Sequence, residues 1–147
     1  MGTSATPVSQ SYGIVATTDA SGTLTNSSTI NVYSTGDSYG VLARGTATVE
    51  NKGNITAYKT LNSESAANAV TAVLADGENT VNNTGTITAI GNNSYAVRGG
   101  SSAVTVNNGS AASSGAQIVL GAEGENLSGG AAIDTNVAGT ITNYKCY

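Results

Sequence analysis

The chain has 147 residues, enough for one domain, and a formal net charge of −4 from five basic and nine acidic residues. Phe and Trp are absent, only 10% of the residues are charged, and Ala, Thr, Gly, Ser and Asn supply most of the sequence. This composition excludes a compact core of large side chains, and the acidic balance excludes a nucleic-acid footprint. Because the hydrophobic content of 39% is too high for a typical disordered chain, small aliphatic residues must be buried in many thin layers.

The residue types that carry most catalytic and metal chemistry are scarce. His is absent, and a single Cys allows neither an internal disulfide nor a thiolate-rich zinc site. Among the acidic residues only Asp76/Glu78 and Glu123/Glu125 are close in sequence, and both pairs lie in Gly-containing corners where solvated charge is expected. We therefore expect no enzyme, no metal site and no cofactor. Cys146, next to the last residue, is an intermolecular disulfide, a natural remnant or an engineered handle, and its position favours exposure.

Two short phrases recur along the chain. Residues 1–10 are predicted as a polar lead-in, residues 11–143 as a single repeat domain and residues 144–147 as a short tail. The first phrase is Tyr-Gly/Ala-Val/Ile followed by small apolar residues, and the second is apolar-x-Asn-x-Gly-x-Ile. Copies of the first phrase begin at Tyr12, Tyr39, Thr71 (degenerate) and Tyr95. Copies of the second begin at Leu24 (loose), Val49 and Val81, and Gly139-Thr140-Ile141 matches its last three positions.

The spacing of the phrases indicates a repeating unit. From the start of the first phrase to the Ile of the second is 16 positions in two copies (39 to 55 and 71 to 87) and 18 in the first (12 to 30). The full period is about 24 to 32 residues, which gives about five units. Within each unit, small or apolar residues alternate with polar ones, as half-buried strands require. The second unit, for example, predicts strands over 39–43, 46–50 and 54–58.

Three short strands per unit, with the same corners in each, predict an all-β fold: a parallel β-helix, or β-solenoid, of about five coils. Each coil then adds one rung of about 4.8 Å to three growing sheets. The segment Ser63–Ala75 is predicted as a loop insertion followed by a strand, since Val70–Leu74 matches the strand phrase. A β-sandwich is disfavoured because it gives no reason for a fixed period and requires bulkier core residues.

In such a fold, equivalent residues of successive coils stack in files. The predicted structural files are Asn26, Asn51 and Asn83 at a corner, Ile30, Ile55 and Ile87 in the interior, and Tyr12, Tyr39 and Tyr95 once per unit. Stacked amides can hydrogen-bond along a file, although Asn also simply suits turns. The tyrosines can staple adjacent coils or form a sugar-binding strip, and the structural role is favoured.

Thr-x-Thr segments raise a further alternative, because flat threonine arrays on solenoids can order water and bind ice. The segments begin at Thr23, Thr46, Thr86 and Thr140. We expect the first two to precede the Asn corner and the last two to follow it. They would then share no single column, which disfavours ice binding.

The recurring Tyr-Gly-Val and Val-x-Asn-x-Gly-x-Ile-Thr phrases, in this Ala/Gly/Ser/Thr/Asn-rich setting, resemble passenger regions of bacterial autotransporters, the pertactin-like and AIDA-like adhesins. The resemblance spans about residues 11–143. It implies a right-handed β-helix at the bacterial cell surface, with adhesion or aggregation as the function. The same family's translocator barrel and Arg-Gly-Asp tripeptide are missing, so no binding residue is carried over.

The alternatives to an adhesin segment are a self-stacking subunit of an extracellular filament and an ice- or glycan-binding solenoid. Self-association through the ends or faces of the β-helix is the expected partner interaction, and a host-surface or glycan ligand is unidentified. No membrane-spanning segment is expected, since no apolar run approaches 18 residues.

Overall fold

The computed structural model describes residues 9–59, 69–113, 115–122, 127–137 and 139–144. Over these residues the chain forms fourteen β-strands. They are β1 (Tyr12–Val15), β2 (Thr23–Asn26), β3 (Thr29–Ser34), β4 (Ser38–Gly45), β5 (Thr48–Asn51), β6 (Asn54–Lys59), β7 (Val70–Gly77), β8 (Thr80–Asn83), β9 (Thr86–Ile90), β10 (Ser94–Gly99), β11 (Thr105–Asn108), β12 (Gln117–Leu120), β13 (Gly130–Asp134) and β14 (Thr140–Asn143).

The strands form three parallel sheets, in which each strand pairs with the strand three places further along the chain. The first sheet has the order β1-β4-β7-β10-β13, the second sheet has β2-β5-β8-β11-β14, and the third sheet has β3-β6-β9-β12. All the strand pairs are parallel. The chain is a parallel β-helix with three strands per coil, as predicted from the repeats.

Four coils are complete among the described residues, and β13 and β14 begin a fifth. The strands predicted over 39–43 and 54–58 correspond to β4 and β6. The strand predicted over 46–50 begins later, at Thr48, because Gly45 turns the chain with a φ of 68° and the Thr46 amide bonds to the Ala20 carbonyl. The right-handed sense stays a prediction from the family resemblance.

The number of residues per coil varies because the connections between strands differ in length. Paired positions of the first sheet advance by 27, 32, 24 and 36 residues (12 to 39, 39 to 71, 71 to 95 and 95 to 131). The last step exceeds the predicted range, since longer connections precede and follow β12. In the segment predicted as an insertion, residues 60–68 lie outside the described residues, and β7 follows at Val70–Gly77.

The interior is narrow and filled by small aliphatic side chains. Val32, Ile55, Val73, Val81 and Ile87 are completely buried in one continuous cluster. The Tyr-Gly-Val phrase follows from this narrowness, because a Cβ at Gly40 would lie 2.6 Å from the Ile55 Cγ2. The core therefore consists of stacked layers of small aliphatic side chains, as the lack of large residues in the composition predicts.

Candidate functional site

The asparagine file is the most regular polar feature of the molecule. We use this name for Asn26, Asn51, Asn83, Asn108 and Asn143, which are equivalent residues of the second sheet. The Nδ2 of each residue donates to the Oδ1 of the next, at distances of 2.8, 2.7, 2.8 and 2.7 Å. The structure thus places the three predicted asparagines in one hydrogen-bonded file and adds two more.

The amides of the asparagine file from Asn26 to Asn108 also bond to backbone carbonyls at the corner between the second and third sheets. The Nδ2 of Asn51 donates to the carbonyls of Gly53 (3.0 Å) and Thr86 (3.2 Å). Asn51 and Asn83 are completely buried, so these contacts supply the partners that a buried amide requires. The file therefore links successive coils at this corner, where the backbone carbonyls need hydrogen-bond donors that an apolar side chain does not have.

Asn108 and Asn143 were missed in the sequence because their surroundings differ from the repeated phrase. The connection from Asn108 to β12 is longer than in earlier coils, so the Gly-x-Ile part is displaced. The identical sequence Thr-Val-Asn-Asn at Thr80–Asn83 and Thr105–Asn108 is the signal that locates Asn108. The assignment of Gly139-Thr140-Ile141 to the end of the second phrase is wrong, because Ile141 pairs with Val106 in the second sheet.

The isoleucine file lies in the third sheet. Ile30, Ile55 and Ile87 are in register, and Ile118 of β12 continues the file. Ile30 is 9% exposed at one end, and Ile55 and Ile87 are completely buried. This file contributes to the interior and offers no surface to a ligand.

The tyrosines occupy one position of the first sheet, but not in every coil. The rings of Tyr12 and Tyr39 stack with centroids 5.6 Å apart and 30° between their planes. The next coil carries Thr71 at this position, and Tyr95 follows one coil later. The predicted ladder is therefore broken above Tyr39. Tyr95 instead lies under a guanidinium, with the Cζ of Arg98 4.3 Å from its ring centroid.

A second tyrosine pair lies on the third sheet and was not predicted. Tyr33 and Tyr58 are nearly parallel, with centroids 4.5 Å apart and 5° between their planes. Burial raises the pKa of Tyr58, and the neighbouring Tyr33 raises it further. The signal was present, since each tyrosine lies three residues after an isoleucine of the isoleucine file.

The outer face of the second sheet carries a threonine column, and this overturns one expectation from the sequence. Three of the four Thr-x-Thr segments contribute to a single column, and Thr140-Ile141-Thr142 precedes its Asn corner rather than following it. Beside the column, the Nδ2 of Asn82 donates to Glu50 Oε1 at 2.6 Å, and the Nδ2 of Asn107 donates to Asn82 Oδ1 at 2.8 Å. The threonine column consists of Thr23, Thr48, Thr80, Thr105 and Thr140.

Charged side chains pair between coils beside the first sheet. Arg44 and Asp76 are 3.5 Å apart, and Arg98 and Asp134 are 3.7 Å apart. One member of the acidic pair Asp76/Glu78 is thus held by an arginine, while Glu123/Glu125 and Cys146 lie outside the described residues. Burial lowers the pKa of Lys59, and the carboxylate of Asp37 partly opposes this.

Metal-binding clusters and membrane-spanning helices are both absent from the described residues. No group of three or more His, Cys, Asp or Glu is placed to hold a metal ion in the described part of the chain. No helix among the same residues is long and apolar enough to cross a membrane.

Comparison with known proteins identifies one family. The model of the BigA third pectate lyase-like domain matches residues 3–85, which is more than half of the chain. The matched range includes the first two coils and the complete strands β7 and β8 of the third. Neither the curated proteins nor the solved structures give a significant match.

Proposed function

The chain belongs to the family of the BigA third pectate lyase-like domain, and on that premise we propose that it is a non-enzymatic β-helix segment displayed on a bacterial cell surface, where it acts in adhesion. The family match supports the β-helix. The resemblance to autotransporter passengers, the low charge and the single cysteine support export and an extracellular location.

The outer face of the first sheet is the observation that carries an adhesive role. It presents the exposed Tyr12 and Val15, which are 44% and 49% accessible, beside Tyr39, Tyr95 and Arg98. Tyrosine and arginine are enriched where proteins bind one another, because they combine large contact area with polar groups. The second sheet presents mainly Thr and Asn instead. We therefore assign partner binding to the first sheet.

A surface-display experiment tests this assignment. A non-adherent bacterial strain displaying the chain should bind immobilised fibronectin, laminin or collagen, or settle by aggregation, more than the same strain without it. The double variant Tyr12→Ser/Arg98→Ser should lose most of the gain. The matched control Thr105→Ser/Asn107→Ser alters the second sheet and should retain it. Equal adhesion by all these strains would contradict the assignment.

The proposal that the chain is not an enzyme needs its own test, since the family name contains a lyase. The carboxylates of Asp76 and Asp134 are each engaged by an arginine of the preceding coil, so neither carboxylate stands alone before a substrate as a general acid or base would. Incubation with polygalacturonate should produce no ultraviolet absorbance from unsaturated products, with or without added Ca²⁺. Turnover that is abolished by Asp76→Asn would overturn the proposal.

The threonine column favours a second candidate function, which is binding to a regular lattice such as ice. Its five hydroxyls repeat at about 4.8 Å, the spacing of the rungs. The charge of Glu50 beside the column disfavours this function, because a charged side chain holds its own hydration. Thermal hysteresis that is lost in Thr80→Lys would support lattice binding. If the original chain shows no thermal hysteresis, this second candidate function is excluded.

Glycan binding through the tyrosines receives less support. The predicted strip of Tyr12, Tyr39 and Tyr95 is interrupted by Thr71. The rings of Tyr12 and Tyr39 stack on each other, and Arg98 covers one face of Tyr95, so fewer ring faces remain on which a sugar could stack. A glycan array should therefore give no signal that depends on these three tyrosines.

A further inference from the structure

The asparagine file has a direction. Every Nδ2 from Asn26 to Asn108 donates towards the coil that follows in the chain, and every Oδ1 from Asn51 to Asn143 accepts from the coil before. The orientation of each amide is set by its other partners. The Nδ2 of Asn26, Asn51 and Asn83 also donates to backbone carbonyls, which only accept. A reversed amide would place two acceptors against each other.

The two ends of the file are consequently different and complementary. At the C-terminal end, Asn143 is exposed, and no further rung lies beyond its Nδ2 among the described residues. At the N-terminal end, the Oδ1 of Asn26 accepts the Ser28 amide at 3.2 Å and faces no asparagine of an earlier rung in the described chain. The C-terminal end therefore has a donor on an exposed residue, and the N-terminal end has an acceptor on Asn26, which is 6% exposed.

The strands at these two edges carry matching sequences. β2 reads Thr-Leu-Thr-Asn and β14 reads Thr-Ile-Thr-Asn. In the existing junctions, the amide of the first threonine of a strand donates to the residue before the strand below, as Thr140 does to Val104. The amide after the asparagine donates to the asparagine below, as Tyr144 does to Asn108. By the same pattern, the Thr23 and Ser27 amides would meet the Gly139 and Asn143 carbonyls of another copy.

Apolar side chains at the edges fit the same register. Ile141 is 51% exposed at the C-terminal edge, where it ends the aliphatic file that begins at Leu24. Placing Leu24 of a second copy on Ile141 would continue this file by one rung. Ile14 and Ile133 occupy equivalent positions at the two edges of the first sheet and would meet in the same way.

We propose that a second copy of this chain stacks on the first, head to tail, with β2 of one copy on β14 of the other. Because the donor end requires the acceptor end, two identical ends do not pair and the contact does not close on itself. Contacts of this heterologous kind produce open-ended assemblies. The junction uses the first and second sheets, since the third sheet ends one rung lower, at β12. This inference is independent of the adhesive function.

Two edge variants and their mixture test the proposal. Thr25→Pro and Ile141→Pro each remove an amide that points away from the chain's own sheet, and the proline ring occupies the space of the next rung. Sedimentation velocity is measured over a range of protein concentrations with a reducing agent present, so that Cys146 cannot cross-link copies. Lys52→Ala, exposed at a corner away from both edges, is the matched control.

The expected results distinguish this contact from any symmetric one. The mass of the original chain and of Lys52→Ala should rise with concentration past that of a dimer. Each proline variant alone should remain a monomer, while their mixture should form one-to-one dimers and nothing larger. The mixture also shows that both variants are folded. A monomeric original chain at every concentration, or dimers of either proline variant alone, would overturn the proposal.

Discussion

The asparagine file and the tyrosine position of the first sheet differ in how strictly they repeat. Asparagine occupies its position in all five described rungs of the second sheet, whereas the tyrosine position carries Thr71 and Ala131 in two of five. The asparagines lie at a corner that is buried at its centre, and the tyrosines lie on an outer face. A buried amide that loses its neighbour is left unsatisfied, whereas a tyrosine that loses its neighbour meets water. Of these two positions, the strictly repeated one is therefore the one whose loss leaves a buried polar group unsatisfied.

The largest expected effect comes from interrupting the asparagine file at its centre. Asn51→Leu leaves the Asn26 amide, the Asn83 carbonyl oxygen and two backbone carbonyls without this partner. We expect a loss of about 3 kcal/mol or more in the free energy of unfolding, measured in urea. The same change at the exposed end, Asn143→Leu, is the control and should cost less than about 1 kcal/mol. Equal losses at both positions would mean that burial does not explain the strict repetition.

A glycine at the same corner provides a steric version of the test. A Cβ at Gly53 would overlap the Ser28 carbonyl oxygen. A Cβ at Gly22 would meet nothing within 4 Å. Gly53→Ala should therefore destabilise the chain by about 2 kcal/mol, while Gly22→Ala should leave its stability nearly unchanged. Thermal unfolding followed by circular dichroism measures both. A tolerated Gly53→Ala would show that the coils can move apart at this corner.

Replacing Thr71, which interrupts the tyrosine position, should change the stability less and should raise it. Thr71 is completely buried between the coils that carry Tyr39 and Tyr95, and its hydroxyl finds no hydrogen-bond partner in the part of the chain that the structure describes. Thr71→Val keeps the shape and removes the hydroxyl, which should stabilise the chain by about 1 kcal/mol. Thr80→Val, on the half-buried threonine column, should change less. A destabilised Thr71→Val would reveal a hydroxyl partner.

The smallest effect concerns the ionisation of the stacked tyrosines. Burial and the adjacent Tyr33 raise the pKa of Tyr58 above its ordinary value of 10.0. The folded chain therefore holds the phenolic proton more tightly than the unfolded chain does, so this contribution to stability is present below pH 10.0 and is lost as the pH rises through the folded-state pKa. In a titration of ring-labelled tyrosines by NMR, Tyr33→Leu should lower the pKa of Tyr58. An unchanged value would mean that the rings do not stack in solution.

A position could be predicted from the sequence when its residue and the residues on either side of it recur from coil to coil. Asn26, Asn51 and Asn83 were found because their flanking residues recur within one contiguous phrase. Asn108 was missed because an insertion separates it from β12. The break in the tyrosine ladder follows from the degenerate copy at Thr71, which the sequence places between Tyr39 and Tyr95, and the pairing of β4 with β7 shows that this copy forms a full rung.

The outer faces were harder to predict than the interior. The threonine column is not evident from the local Thr-x-Thr segments. Its members share a position only when residues are counted back from the asparagine at each corner. The pairing of Tyr33 with Tyr58 also depends on the register between coils, which local sequence does not state. The contact of Arg98 with Tyr95 lies within β10, but it requires both side chains to leave the same face of that strand. Ligand choice depends on such surface details, and no buried chemistry constrains them to repeat.

The central claim is that successive coils stack in parallel with equivalent residues in contact. Nuclear Overhauser effects between the side-chain amides of Asn26, Asn51 and Asn83 in labelled protein test it directly. Contacts from Asn26 to Asn51 and from Asn51 to Asn83, together with α-proton contacts from Val49 to Val81, are the predicted result. Antiparallel contacts between strands adjacent in sequence, such as β4 with β5, would contradict it.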